Sequence, residues 1–227
     1  MSATPTIKLP PLESGDRLTL PEFERRYNQM PNNTKAELIE GVVYLAAAVR
    51  IKNHGRPHAQ IIGWLSAYWF NTPGVDMGDN TTVRLDADNE PQPDALLRIE
   101  PEVGGNSRIS DDDYIEGAPE LIVEVAASSA SYDLNDKLNA YRRNGVQEYI
   151  VWQIYENRLD WFILHEGRYI SLEPDADGII RSQVFPGLWL AVSALQQRNM
   201  AVVLAVLQEG LKTAEHQAFI ERLSQTA

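Results

Sequence analysis

The chain has no cysteine, which rules out disulfides and thiolate metal ligands. That absence agrees with a reducing, cytoplasmic setting. Long apolar runs are missing too; nothing approaches the ~18 residues that suggest a membrane span. The start, MSATPTIKLPPLESGD, lacks a basic stretch followed by an apolar core, so no signal peptide is expected. Positive charge is scarce: 20 Lys and Arg face 32 Asp and Glu, a net charge of −12. A partner with a phosphate backbone would have to be met by a local basic patch, not by the overall field. What remains is an ordinary globular composition, 44% hydrophobic over 227 residues, enough for one large domain with appendages.

Along the chain, residues 1–18 are rich in Pro and polar side chains and predict a loose arm. Thr19 and Glu22 form a capping-box pattern ahead of a short helix to about Asn28. AELIEGVVYLA, from Ala36, predicts two short strands around Glu40-Gly41. PHAQIIGWLSAYWF, residues 57–70, predicts a helix opened by Pro57, with Ile61, Ile62, Leu65 and Trp69 on one stripe. Strands are expected at VRL (83–85), DALLRIE (94–100) and LIVEVAA (121–127), with a loop over 101–119. Asp133 is placed to cap a helix over 134–144 that Gly145 ends, with Leu134, Leu138 and Tyr141 as its apolar stripe. EYIVWQIY, LDWFILHEG and RYISLEP follow as strands with turns at Glu156-Asn157 and Glu166-Gly167. From about Ser193 a helical tail runs to the end, with Val203, Leu204, Leu207, Leu211, Phe219 and Leu223 as apolar positions.

This order predicts one α/β domain of mixed sheet over 19–192, with a C-terminal helical extension over 193–227. DALLRIE and LIVEVAA, joined without a helix, should be antiparallel. LIVEVAA and EYIVWQ, joined by a helix, should be parallel.

One residue disturbs the pattern. In PELIVEVAASS, residues 119–129, Glu124 interrupts a buried strand. An unpaired buried carboxylate costs several kcal/mol or more, so Glu124 must sit at a cleft rim, pair with a cation or bind a metal. Asp94, after the stiff Pro91-Gln92-Pro93, can stand beside it across a strand pair. Two such carboxylates repel unless a cation lies between them, and a hard divalent ion such as Mg²⁺ suits oxygen ligands. Lys137 lies early in the next helix, where the helix dipole disfavours a cation. Asp, Glu and Lys at one sheet edge can hold a metal, orient a water and stabilise charge on a phosphate. A structural salt bridge for Glu124 and a solvated Lys137 are the plainer alternatives.

Pro93-Asp94, LIVEVAASS and DLNDKLNAYRRNGVQEYIVW together resemble the Uma-type restriction endonucleases of the PD-(D/E)XK superfamily, as do AELIEGVVY, the helix bearing His58, FPGLWL and VLAVLQEGL. The resemblance spans roughly residues 19 to 225. It implies a restriction-endonuclease-like α/β fold and metal-dependent hydrolysis of DNA phosphodiesters. By position it implies Asp94 and Glu124 as metal carboxylates, Lys137 as the catalytic lysine and Glu37 as a supporting acid. Mg²⁺, or Mn²⁺ in its place, would be the ion. The superfamily's usual lysine position, two after the Glu, is Ala126 here; in the Uma type the lysine comes from the following helix. His58 matches a recurrent His without an assigned role, and Gln153 stands where relatives often carry Asp.

The rival reading is a non-catalytic binding or assembly module that keeps the fold. The acidic balance and an apolar tail that could pair two copies into a homodimer favour it. Arg50, Lys52, Arg56, Arg84, Arg142 and Arg143 gathered near the acids would favour the nuclease, because a phosphate backbone needs counter-charge.

Overall fold

The structure is a computed structural model, and it describes residues 9–31, 34–46 and 50–225. In chain order the elements are α1 (Leu20–Tyr27), β1 (Ala36–Ile39), β2 (Val42–Leu45), a π-turn (Ile51–Gly55), α2 (Arg56–Trp69), β3 (Val75–Asp79), β4 (Val83–Arg84) and β5 (Ala95–Ile99). Then come β6 (Arg108–Ile109), β7 (Ile115–Glu116), β8 (Leu121–Ala126), a short α3 (Ala130–Tyr132), a second π-turn (Asp133–Lys137) and α4 (Leu138–Asn144). β9 (Glu148–Gln153), β10 (Arg158–His165), β11 (Arg168–Ser171), β12 (Ile179–Arg181), β13 (Trp189–Ala191), α5 (Val192–Gln196), α6 (Met200–Leu211) and α7 (Ala214–Gln225) complete the chain.

Six strands make the central sheet, in the order β11-β10-β9-β8-β5-β3. β8 and β9 are parallel, joined by the α3–α4 crossover, and every other pair in this sheet is antiparallel. β8 and β9 are buried along their whole length, as expected for strands covered on both faces. The side-chain alternation of β8 divides the core. Leu121, Val123 and Val125 face a layer that holds Trp64 and Leu65 of α2 with Val203, Leu207, Phe219 and Leu223 of the C-terminal helices. Ile122 and Ala126 face the other layer, with Tyr141 of α4, Val146 and Tyr149. Glu124 has the parity of the second layer, so its carboxylate points toward α4.

The C-terminal helices thus turn Val203, Leu207, Leu211, Phe219 and Leu223 into the chain's own core. α6 approaches the 185–190 segment backbone to backbone: a Cβ on Gly210 would lie 2.2 Å from the Gly187 carbonyl oxygen. No helix among the described residues is long and apolar enough to cross a membrane.

Several local expectations differ. Residues 9–18, expected as part of a loose arm, lie against the β1–β2 hairpin. Leu12 packs with Phe23, Leu38 and Val43, and the Gly15 N–H donates to the Val43 carbonyl; residues 1–8 fall outside the described ones. Thr19 holds the N-cap position of α1, but its side chain makes no capping hydrogen bond, and Glu22 pairs with Arg25 and Arg26 instead of reaching back to it. The helical segment after β8 starts at Ala130, so Asp133 lies inside it and does not cap it. The stretch 101–119 contains the short strands β6 and β7, and β3 and the β12–β13 hairpin add pairing the sequence did not announce.

Candidate active site

The β5–β8 register pairs Ala95 with Val123, so one step further Asp94 stands opposite Glu124. Cβ atoms at such facing positions are roughly 4.5–5.5 Å apart. This is the C-terminal edge of β8. The crossover segment returns over the same edge, and there it contributes Asp133, Lys137 and Tyr141. These three are spaced four residues apart and share one helix face.

Lys137 is the centre of the arrangement. Its Nζ lies 2.8 Å from Glu124 Oε1, 2.8 Å from Glu37 Oε1 of β1 and 4.0 Å from Asp133 Oδ1. The Tyr141 hydroxyl donates to the same Glu124 oxygen at 2.9 Å. Neither contact uses Glu124 Oε2. Glu37 Oε1 also accepts the Gln92 N–H at 2.7 Å, which ties β1 to the Pro91–Pro93 stretch leading into β5. Asp94 accepts the Val125 N–H on Oδ2 at 2.7 Å and meets His54 Nε2 on Oδ1 at 3.3 Å. His54 is fixed in turn by Nδ1, 3.2 Å from the Val125 carbonyl oxygen.

The electrostatics follow from crowding. Asp94, Glu124, Asp133 and Lys137 are all buried. Burial pushes Glu124 up to about 8; Lys137 opposes this, while Asp133, Asp94 and Glu37 add to it. Asp133 rises to about 6, again chiefly through burial. Burial also works against the charge on Lys137, but Glu124, Glu37 and Asp133 outweigh it and hold the ammonium well above its ordinary range. Asp94 is held below the usual carboxylate range: burial raises it, but the His54 contact and the Val125 N–H overcome that. His54 is correspondingly raised, first by its bond to Asp94. Four carboxyls thus share one ammonium and one imidazole, a pocket short of positive charge.

The residues expected from the sequence are brought together: Asp94, Glu124, Lys137 and Glu37 share this pocket. Among the described residues, no three His, Asp or Glu groups converge at metal-holding spacing. Lys137 lies between Glu37 and Glu124. His58 sits beside the pocket and not in it, with Nε2 3.0 Å from the Asp94 carbonyl oxygen and 3.1 Å from Asp79 Oδ1. Gln153 turns away to Asp160 on β10. Sequence reasoning missed His54, the structural place of Asp133, the hydroxyl of Tyr141, and Tyr132. The Tyr132 hydroxyl is buried without a hydrogen-bond partner among the described residues, while its ring lies 5.5 Å from Lys137 Nζ. The four-residue spacing Asp133–Lys137–Tyr141 was the available signal for two of them.

A mixed sheet whose antiparallel β5–β8 pair presents two facing acids, with a lysine brought to the same edge by the β8–β9 crossover, defines a protein of the nuclease-fold class. The fold is shared with a crystal structure titled as a putative nuclease belonging to DUF820 from Anabaena variabilis. That protein is 12% identical, with a TM-score of 0.57 over 76% of this chain and 96% of that one. The Uma2 family model, described as "Putative restriction endonuclease", matches residues 20–193. The chain belongs to that family. No curated protein matches it.

Proposed function

We propose that this protein is an endonuclease that hydrolyses DNA phosphodiester bonds with a divalent cation, Mg²⁺ or Mn²⁺ in its place. The observation that carries this reading is the buried Lys137 ammonium bridging Glu124 and Glu37, with Asp94 facing Glu124 across the strand pair. The donors suit a hard cation in kind: Asp94, Glu124 and Glu37 offer only oxygen, the pocket carries more acid than its own cations can offset, and Glu124 Oε2 lies outside the Lys137 and Tyr141 contacts; in spacing they converge on Lys137, so seating an ion requires the ammonium to move from between Glu37 and Glu124. Asp94 and Glu124 would hold the ion from facing strands, with Glu37 supporting it from β1. Bound there, the ion would supply Lewis-acid polarisation of the scissile phosphate and acidify water.

The chain's own residues do the rest. Lys137 is held protonated by its carboxylates, so it acts as a donor. It orients the attacking water and offers an N–H to charge growing on the phosphoryl oxygens. Glu37 and Tyr141 fix Lys137 and Glu124 respectively, so neither group has to reorganise as charge develops. His54 keeps Asp94 ionised and aimed.

Cleavage of plasmid DNA with Mg²⁺ or with EDTA, by wild type, Asp94→Asn and Glu124→Gln, tests the reading. Cleavage is expected only with the metal, and each variant should lose about a hundredfold or more. Variants that cut as well as wild type would overturn the site, and cleavage in EDTA would overturn the metal.

A further inference from the structure

The turn that delivers His54 to Asp94 carries an unusual surface for so acidic a chain. Arg50, Lys52 and Arg56 are all exposed, and none of their side chains has an ion-pair or hydrogen-bond partner among the described residues. Other cations gathered by the sequence are occupied elsewhere. Arg84 is held by Glu24, Glu90 and Asp112, Arg143 by Glu40, and Arg142 donates to the Gly167 carbonyl. In the same turn Ile51 is 67% exposed. Across from it, just past the end of β9, Tyr155 is 59% exposed, and its hydroxyl accepts from Asn53 Nδ2 at 3.2 Å. The ring is thus tethered by its hydroxyl and open over much of its surface.

This surface is continuous with the acidic pocket. His54 lies between Lys52 and Arg56 in the chain and bonds both Asp94 and the Val125 carbonyl. The Ile154 N–H donates to the Ala126 carbonyl, which places Tyr155 beside the end of β8 that carries Glu124. Three unpaired cations beside an exposed, anchored aromatic ring match what an unpaired nucleic-acid strand offers: successive phosphates and a free base face.

We infer that the turn Arg50–Arg56 and Tyr155 form the strand-binding surface of this protein, with Arg50, Lys52 and Arg56 on the phosphates and Tyr155 stacked on an unpaired base of DNA. The inference rests on the nuclease reading and deepens it, since it names single-stranded or distorted DNA as the favoured substrate over regular duplex. His54 couples the two: the element that grips the strand is the one that aims Asp94.

Fluorescence anisotropy with a labelled single strand and the matching duplex, in EDTA at several salt concentrations, separates this inference from catalysis. Wild type is expected to bind the single strand more tightly. The triple change Arg50→Glu, Lys52→Glu, Arg56→Glu should weaken binding at least about tenfold and flatten the dependence of log affinity on log salt by about two units, at roughly 0.7 per phosphate contact. Tyr155→Ala should weaken single-strand binding by about five- to tenfold with the salt slope unchanged. Arg168→Glu, an exposed cation on β11, should leave affinity as it was. Unaltered binding by the triple variant, an equal loss from Arg168→Glu, or tighter binding of the duplex would overturn the inference. If wild type binds through this surface yet never cuts, the nuclease reading fails and the strand-binding assignment stands alone, as a binding surface and not a substrate site; if it cuts and the triple variant binds and cuts unimpaired, the strand-binding assignment fails and the nuclease reading stands.

Discussion

Glu124 and Glu148 are buried glutamates on neighbouring parallel strands, one near the end of β8 and the other at the start of β9. They lie at opposite edges and on opposite faces of the sheet. Glu148 is surrounded by neutral donors: Trp161 Nε1, the Ser182 hydroxyl and the backbone N–H groups of Gln183 and Val184. Each of its oxygens has partners, and no charged group joins them. Among the described residues Glu124 has Tyr141 as its one neutral donor, and the charged or titratable groups around it are an ammonium and three further carboxyls. The first is what a buried carboxylate looks like when it serves the fold, pinning the 182–185 turn to the sheet. The second is crowded with carboxyls around a single ammonium, a state that a bound cation would relieve.

Breaking the two sites should separate them. The largest effect is expected from Lys137→Met. It leaves Glu124, Glu37 and Asp133 buried together without their cation, at a cost of about 3–5 kcal/mol in urea unfolding at pH 7.5. A loss under 1 kcal/mol would mean that the ammonium does not hold the pocket together.

The next effect belongs to Glu148 and is a matter of pH. Burial pushes Glu148 up to about 7 although its four donors oppose this. The folded state therefore keeps a proton that the unfolded chain, titrating near 4.5, has already released. The stability this confers is fully present below about pH 4.5 and is lost as pH rises through about 7. The difference amounts to about 3 kcal/mol at most. Glu148→Gln cannot titrate, so its stability should fall less steeply across that window, by about that amount, with cleavage unaffected. Parallel stability–pH curves for variant and wild type would contradict the assignment.

Tyr141→Phe is a smaller probe of the crowded site. It removes one hydrogen bond to Glu124 and leaves Lys137 in place, so about 1 kcal/mol of stability should go. Cleavage should decline as well if the hydroxyl holds Glu124 in register. An unchanged unfolding midpoint would show that the bond contributes nothing.

How much of this was legible in the sequence depended on the kind of signal. β8, β9 and β10 are runs of Val, Ile and aromatics bounded by turn residues, and loop and helix lengths between them fixed which pairs are parallel. β3, Val-Asp-Met-Gly-Asp, was not legible, because Asp and Gly are poor strand formers and its pairing with β5 is what makes it a strand. In the site, a carboxylate inside an apolar strand exposed Glu124, and chain return after β8 exposed Lys137. His54 left no trace: the π-turn that presents it has no apolar periodicity, and the family resemblance pointed to His58, one turn on, which meets the backbone of Asp94 and the side chains of Asp79 and Asn80 and stacks on the His54 ring. Asp133 read as a helix cap because the helical segment really begins three residues earlier, at Ala130. Tyr141 read as part of an apolar stripe, which it is, apart from its hydroxyl.

A calorimetric titration of Mn²⁺ or Mg²⁺ into wild type, Asp94→Asn and Glu124→Gln tests the central claim most directly. Saturable binding of the ion to wild type, lost in both variants while their unfolding remains cooperative, is the expected result. No binding to wild type at millimolar metal, or the same binding in all three proteins, would contradict it.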